Sequence, residues 1–210
     1  MGDSSAKYIY NIPVVPEKKL ILSRLGFRSG TTVLSEKDES VLEKAIRDGL
    51  MLCEPKAAFR VLEIVERDDD KILLEGNIAL HSSKLSALLK QSQKALIMAG
   101  TAGSKIVDRI RYEIEKRDTA YGAMLDAVAS ETADAILGWL MGYMEKNLLH
   151  KGLKLTRHRY SAGYGDLPLG SQRIFYDILN LDKLGIELTE SFMLVPEKSV
   201  TAICGIEQSR

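Results

Sequence analysis

Between residues 124 and 143, side chains suited to burial recur at intervals of three and four: Met124, Leu125, Val128, Thr132, Ile136, Trp139, Leu140 and Tyr143. The interval matches the 3.6-residue pitch of an α-helix, so these residues share one face of a long helix, and that face needs a second layer to cover it. A strand would need a period of two, which this segment lacks. Gly138 and Gly142 stand four apart in the same stretch, a spacing that permits close backbone approach by another element. Asp134 lies within this helix, between apolar turns, and is the one carboxylate there that stands out.

Around this helix the chain alternates short helical and strand-like runs. Residues 1–30 read as an N-terminal arm: Pro13 and Pro16 disfavour regular structure, and Leu20, Ile21, Leu22 and Leu25 before Gly26 fit a short helix packed on the body. Ser35 with Asp38 three residues on starts a helix striped by Val41, Leu42, Ala45, Ile46 and Leu50 and ended by Pro55. Residues 57–66 and 71–77 are strand-like and flank Asp68, Asp69 and Asp70, which fit a solvated hairpin turn better than a cation site. Ser82 or Ser83 can cap a helix over 84–93. Residues 94–103 read as a buried strand ending in a glycine turn before a helix over 104–117. Gly100, Gly103 and Ser104-Lys105 match neither GxGxxG nor GxxxxGK[ST], so the glycines are read as making the turn. After Gly152 come a glycine loop at 163–166, a helix over 171–179, and strand-like runs at 187–195 and 199–206. The last two flank Pro196-Glu197-Lys198 and are expected to form a hairpin. The mixture of helices with hairpins predicts an α+β fold in a single domain over 1–210.

Charge and composition remove several function classes. The 29 basic and 29 acidic residues balance, leaving none of the basic excess that neutralises phosphates, so no nucleic-acid partner is expected. No local basic excess suits a membrane surface, no apolar run reaches the length of a bilayer span, and the first ten residues lack the basic and apolar regions of a signal peptide. A cytoplasmic protein with no membrane partner is the expectation. Cys53 and Cys204 are expected to be buried and reduced. His81, His150 and His158 occur without HExxH spacing or a cysteine cluster, so no metal site is assigned. GxSxG is absent, and no catalytic residue is assigned.

Binding chemistry concentrates ahead of the glycine loop, at Arg157, His158, Arg159 and Tyr160. A guanidinium offers a planar fork of donors to a carboxylate or phosphate, a glycine loop can turn main-chain N–H groups toward the same ligand, and Tyr160 and Tyr164 supply aromatic faces. These residue types allow a small anionic or zwitterionic ligand; they equally allow a structural loop with solvent-facing arginines.

Two motifs go further. Arg159-Tyr160-Ser161-Ala162-Gly163-Tyr164-Gly165-Asp166-Leu167-Pro168-Leu169 with Gln172, and Leu188-Thr189-Glu190-Ser191-Phe192-Met193 leading to Pro196-Glu197-Lys198-Ser199-Val200, stand in the order and separation of a known family. The chain resembles the S-adenosylmethionine-binding activation (reactivation) domain of cobalamin-dependent methionine synthase, in its free-standing bacterial form. The resemblance implies an antiparallel or mixed curved sheet with flanking helices, including one long amphipathic helix. It implies a module that binds S-adenosylmethionine, docks on a separate cobalamin-dependent methionine synthase and supports reductive methylation of inactive cob(II)alamin, with the electron supplied by a flavodoxin-like donor. Cobalamin would be met only through the partner, and the chain alone would be an accessory component without turnover. The residues implied at the S-adenosylmethionine site are Arg159, Tyr160, Gly163, Tyr164 and, on the long helix, Asp134. Gly165 stands where the fused enzymes carry proline. Two rival readings are a module that caps cobalamin without binding S-adenosylmethionine, and an independent small-molecule enzyme built on the Arg159–Tyr164 loop.

Overall fold

The strand β5 (Lys94–Thr101) has seven of its eight residues buried, which only a strand covered on both faces permits. It occupies the centre of the computed structural model, which describes residues 5–28 and 35–209; residues 1–4 and 29–30 of the expected arm lie outside the described residues. β2 (Lys56–Arg67) and β9 (Ser199–Gln208) flank it, running from Lys56↔Thr101 to Glu63↔Lys94 and from Lys94↔Ile206 to Thr101↔Ser199. β3 (Lys71–Leu74) and β4 (Ile78–His81) extend the sheet beyond β2, and β6 (Leu153–Leu155) extends it beyond β9. β1 (Lys7–Tyr10) pairs with the start of β2, so the arm contributes a strand as well as the helix α1 (Lys18–Arg24). All of these pairings are antiparallel. A register shift between Ile64 and Glu66 bends β2 where its partner changes from β1 to β3, and the sheet curves into a half-barrel. The expected α+β domain with a curved sheet is the observed one.

α5 (Thr119–Leu149) crosses one face of this sheet. Ile136, Leu137, Leu140, Met144 and Leu148 pack there against Phe59, Leu96, Met98 and Cys204. Its N-terminal half is enclosed by α1, α2 (Glu36–Leu52) and α4 (Ser104–Glu115), so Ala127, Ala129 and Ala133 are buried beside the stripe read from sequence. Tyr143, at the end of that stripe, is 42% exposed instead. α3 (Ser83–Leu88) and α6 (Ser171–Leu179) cover the other face, with Phe175, Leu179 and Leu85 packed against Leu62, Ile97 and Ile203. The expected caps are in place: Ser35 Oγ accepts from the Asp38 N–H and Ser82 Oγ from the Leu85 N–H.

Three local expectations are corrected. Residues 199–206 do not form a hairpin with 187–195; β7 (Glu187–Leu188) pairs with β8 (Leu194–Val195) in a separate small sheet, and β9 crosses to lie between β5 and β6. The reason is burial on both faces: Thr201 and Ile203 point to one side and Ala202, Cys204 and Ile206 to the other, a pattern that only a central position satisfies. The helix expected over 84–93 stops at Leu88, because the main chain of Gln93 is claimed by the sheet, its N–H bonded to Ile206 O and its carbonyl to the Ile64 N–H. Close approach to α5 does not use Gly138 or Gly142, where an added Cβ would meet nothing within 4 Å. It uses Gly100 of β5, where a Cβ would stand 2.7 Å from Ile136 Cγ2, so the small residue lies on the partner rather than on the helix.

Candidate functional site

After β6 the chain makes one more antiparallel bridge to β9, with Tyr160 N–H donating to Ile203 O and Ile203 N–H to Tyr160 O, each at 2.8 Å. Side chains alternate across such a bridge. Tyr160 therefore packs toward the α6 side of the sheet, while Arg159 turns to the α5 side and meets Asp134. Arg159 Nη2 donates to Asp134 Oδ1 at 3.0 Å, with the arginine side chain 29% exposed. Arg24, from α1, joins them: its Nε donates to Glu131 Oε1 at 2.6 Å, and its Nη2 lies 3.9 Å from Asp134 Oδ2. Two guanidiniums and two carboxylates thus line one edge of α5. Such partly exposed pairs contribute about 0–1 kcal/mol each, so the arrangement orients Arg159 more than it stabilises the fold.

The glycine loop that follows is held from within and from outside. Gly163 N–H donates to Leu167 O, and Tyr164 N–H to Ser161 O. Gly163 and Gly165 have φ of +84° and +55°. Asp166 ties the loop to the start of α3, accepting from Ser82 Oγ at 2.5 Å, Ser83 Oγ at 2.7 Å, Lys84 N–H at 3.1 Å and Tyr160 Oη at 3.2 Å. The serine hydroxyls above all, with the Lys84 N–H and Tyr160 hydroxyl, favour the carboxylate and hold its pKa well below the ordinary range. Gly165 is required by the same cluster, because a Cβ there would stand 2.0 Å from Tyr160 Oη.

This clamp carries a prediction. A depressed carboxyl pKa contributes stability that is fully present above the unfolded value, about pH 4, and is lost as the pH falls through the lower folded value. Acid unfolding followed by circular dichroism should therefore show Asp166→Asn less stable than wild type at neutral pH, with the gap closing in strong acid. A gap independent of pH would show that the carboxylate charge does not hold the loop.

Beside the loop opens a cavity of about 300 Å³ walled by Tyr164, Leu169, Phe192 and Met193, with Gln172 and Thr201 among its lining residues. Thr201 Oγ1 donates to Gln172 Oε1 at 2.9 Å, and both residues are buried. Tyr164 is 70% exposed, and Phe192 and Met193 also reach solvent. The two motifs noted in the sequence, separated along the chain by α6, thus meet around one cavity.

Of the residues expected at the site, Arg159 and Asp134 are brought into contact, and Gly163 and Tyr164 lie in the loop beside the cavity. Tyr160 has its main chain bonded to Ile203 and its hydroxyl to Asp166, so it braces the loop. Arg24 and Glu131 join the arrangement without having been read from the sequence, and Asp166, part of the glycine-loop motif there, joins it without having been read as a site residue. Only Asp166 carried a signal, its position after the second glycine of the loop. Burial pushes the Cys53 thiol up to about 11 and the Cys204 thiol up to about 12, so both stay protonated at neutral pH.

The other features noted in the sequence are structural. Gly103, with φ of +89°, places its N–H on Thr101 Oγ1, and Glu54, paired with Lys105, stands against the same turn, so Gly103 shapes the β5–α4 connection, whereas Gly100, expected in that turn, lies within β5. Asp68, Asp69 and Asp70 form the β2–β3 turn, closed by Asp68 N–H donating to Lys71 O. Among the described residues no cluster of histidine, cysteine and carboxylate groups could hold a metal ion, and no helix is long and apolar enough to cross a membrane.

No family model matches the sequence, and no curated protein matches it either. Among solved structures, one described as the crystal structure of the MetH reactivation domain bound to AdoHcy matches with a TM-score of 0.73, covering 97% of this chain and 79% of that one at 13% sequence identity. At that identity the likeness is one of fold, and it extends over nearly the whole chain.

Proposed function

We propose that this chain is an S-adenosylmethionine-binding accessory module that acts on a separate cobalamin-dependent methionine synthase in the cytoplasm. One observation carries the reading: the two segments that resemble the activation domain line a single cavity, in a chain whose fold matches a MetH reactivation domain bound to AdoHcy. The residues of the loop suit the ligand, with Tyr164 lining the cavity and Arg159, outside that lining, turned to the α5 side of the sheet. Arg159 would pair with its carboxylate, the Tyr164 ring and the main chain around Gly163 would take the adenosyl part, Tyr160 would back the loop, and Asp134 would hold the guanidinium in place. Bound S-adenosylmethionine supplies the methyl group; the cobalamin belongs to the partner. What the chain's own residues contribute is placement and exclusion of water, because methyl transfer to a reduced cobalt needs no general base. Tyr164, Phe192 and Met193, exposed beside the cavity, offer an apolar rim to a docked partner.

A second reading, a module that caps cobalamin without binding S-adenosylmethionine, is favoured by the Arg159–Asp134 pair, which already occupies one donor of the fork. Reactivation kinetics separate the two. Added to a methionine synthase lacking its own activation domain, the chain should restore activity only when S-adenosylmethionine and a one-electron donor such as a flavodoxin are both present. The chain alone should transfer no methyl group to a small acceptor. Turnover by the isolated chain would overturn the proposal, and restoration that ignores S-adenosylmethionine would favour the second reading.

A further inference from the structure

On the sheet face covered by α5, the C-terminal end of that helix leaves a cleft of about 470 Å³ over β1, β2 and β5. Its floor is apolar, built from Phe59, Val61, Leu148 and Ile206. Tyr143 forms one wall, its ring stacked on Trp139 at 5.6 Å and 7° and set edge-on to Phe59 at 6.4 Å. Lys7, Lys94 and Lys151 line the same cleft, and no acidic residue lines it. Strand register puts Lys7 directly opposite Phe59, so lysine and ring share a face. Lys94 is paired with Glu63 at 2.6 Å; Lys7 and Lys151 make no ion pair among the described residues.

An apolar floor under a cationic rim is an incomplete arrangement. The floor favours hydrocarbon, while like charges gathered at low-dielectric walls focus a positive potential that an anion relieves. The volume falls in the range of small-molecule sites, about 300–1,000 Å³. A neutral ligand would gain the floor alone, and a cationic one would meet repulsion. We infer that this cleft binds a small organic anion with an apolar body, its head group at Lys7 and Lys151 and its hydrocarbon against Phe59 and Tyr143. The site is separate from the Arg159 loop and stands independently of the function proposed above.

Trp139 is the single tryptophan of the chain and stacks on the cleft wall, so its emission reports occupancy. The full chain should be titrated below micelle-forming concentrations with decanoate, decyl phosphate, decanol and decyltrimethylammonium. Decanoate or decyl phosphate should shift the emission saturably and bind about tenfold or more tighter than decanol, the scale of a contact to a charged group, with the cation weakest. The stronger of the two anions identifies the head group. Lys7→Gln/Lys151→Gln, checked for native circular dichroism, should erase the preference for anions over decanol, and Tyr143→Ala, followed by calorimetry, should weaken all four ligands alike. Arg159→Ala should bind the anion as wild type does, which keeps this test apart from the S-adenosylmethionine site. Equal affinity for decanol and both anions, or an anion preference that survives in the double lysine variant, would overturn the inference.

Discussion

Replacing Phe175 by alanine is expected to cost about 3–5 kcal/mol of stability. The ring is fully buried at the centre of α6, where it joins Leu62, Ile97, Leu179 and Ile203 in the core on the side of the sheet opposite α5. Truncation removes its transfer free energy and leaves a cavity that a β-sheet floor cannot close by moving inward. Folded domains are stable by only about 5–15 kcal/mol, so the loss is a large share of the total. The consequence reaches the site. α6 begins where the glycine loop ends, with Ser171 N–H bonded to Pro168 O and Gln172 N–H to Leu169 O, so a loosened α6 frees one wall of the cavity. Urea denaturation should show the midpoint moving down at nearly constant slope. A shift worth less than about 1 kcal/mol would mean that this core can collapse around the gap.

The second large effect is on binding. Arg159→Ala should weaken S-adenosylmethionine by about 1.5–3 kcal/mol, the range for hydrogen bonds to charged groups. Arg159→Lys should recover part of it, because an ammonium keeps the charge and loses the planar fork. Asp134→Asn should weaken binding less than Arg159→Ala, since that carboxylate orients the guanidinium through a single 3.0 Å contact. Stability should change by no more than about 0.5–1 kcal/mol in each variant, as expected for a partly exposed pair. Calorimetric titration beside chemical denaturation separates the two quantities. Unchanged affinity in Arg159→Ala and Arg159→Lys would remove the arginine from the site, and a large stability loss would make it a strut of the loop.

What the sequence makes legible follows from which forces act locally. The pitch of α5 and the serines that cap α2 and α3 depend on neighbours a few residues away and can be read directly. The partner of β9 cannot, because the polar Ser199 and Thr201 in one phase of Ser199–Gln208 do not announce that both phases are buried, and it is burial on both faces that decides. Gly138 and Gly142 mislead for a related reason: a small residue permits close approach without compelling it, and Gly100 serves that purpose from the sheet. At the candidate site, the glycine loop and its tyrosines stand out by type. The Arg159–Asp134 pair spans 25 residues and depends on Tyr160 bridging Ile203, so residue types alone could not join them; only the family resemblance named both. Arg24 carries no signal at all, a basic residue ending a short helix in the arm. Gly165 is a turn residue by sequence, and its necessity emerges only from the position of the Tyr160 hydroxyl.

In the function proposed above, S-adenosylmethionine binds beside the loop that links β6 to α6. Isothermal titration of the purified chain, repeated with a cobalamin-dependent methionine synthase lacking its own activation domain, decides whether it does. Saturable binding to one site is expected, weakened in Arg159→Ala and retained in the double lysine variant of the cleft beside α5. No binding heat and no rise in melting temperature with S-adenosylmethionine, either alone or with the synthase present, would contradict it.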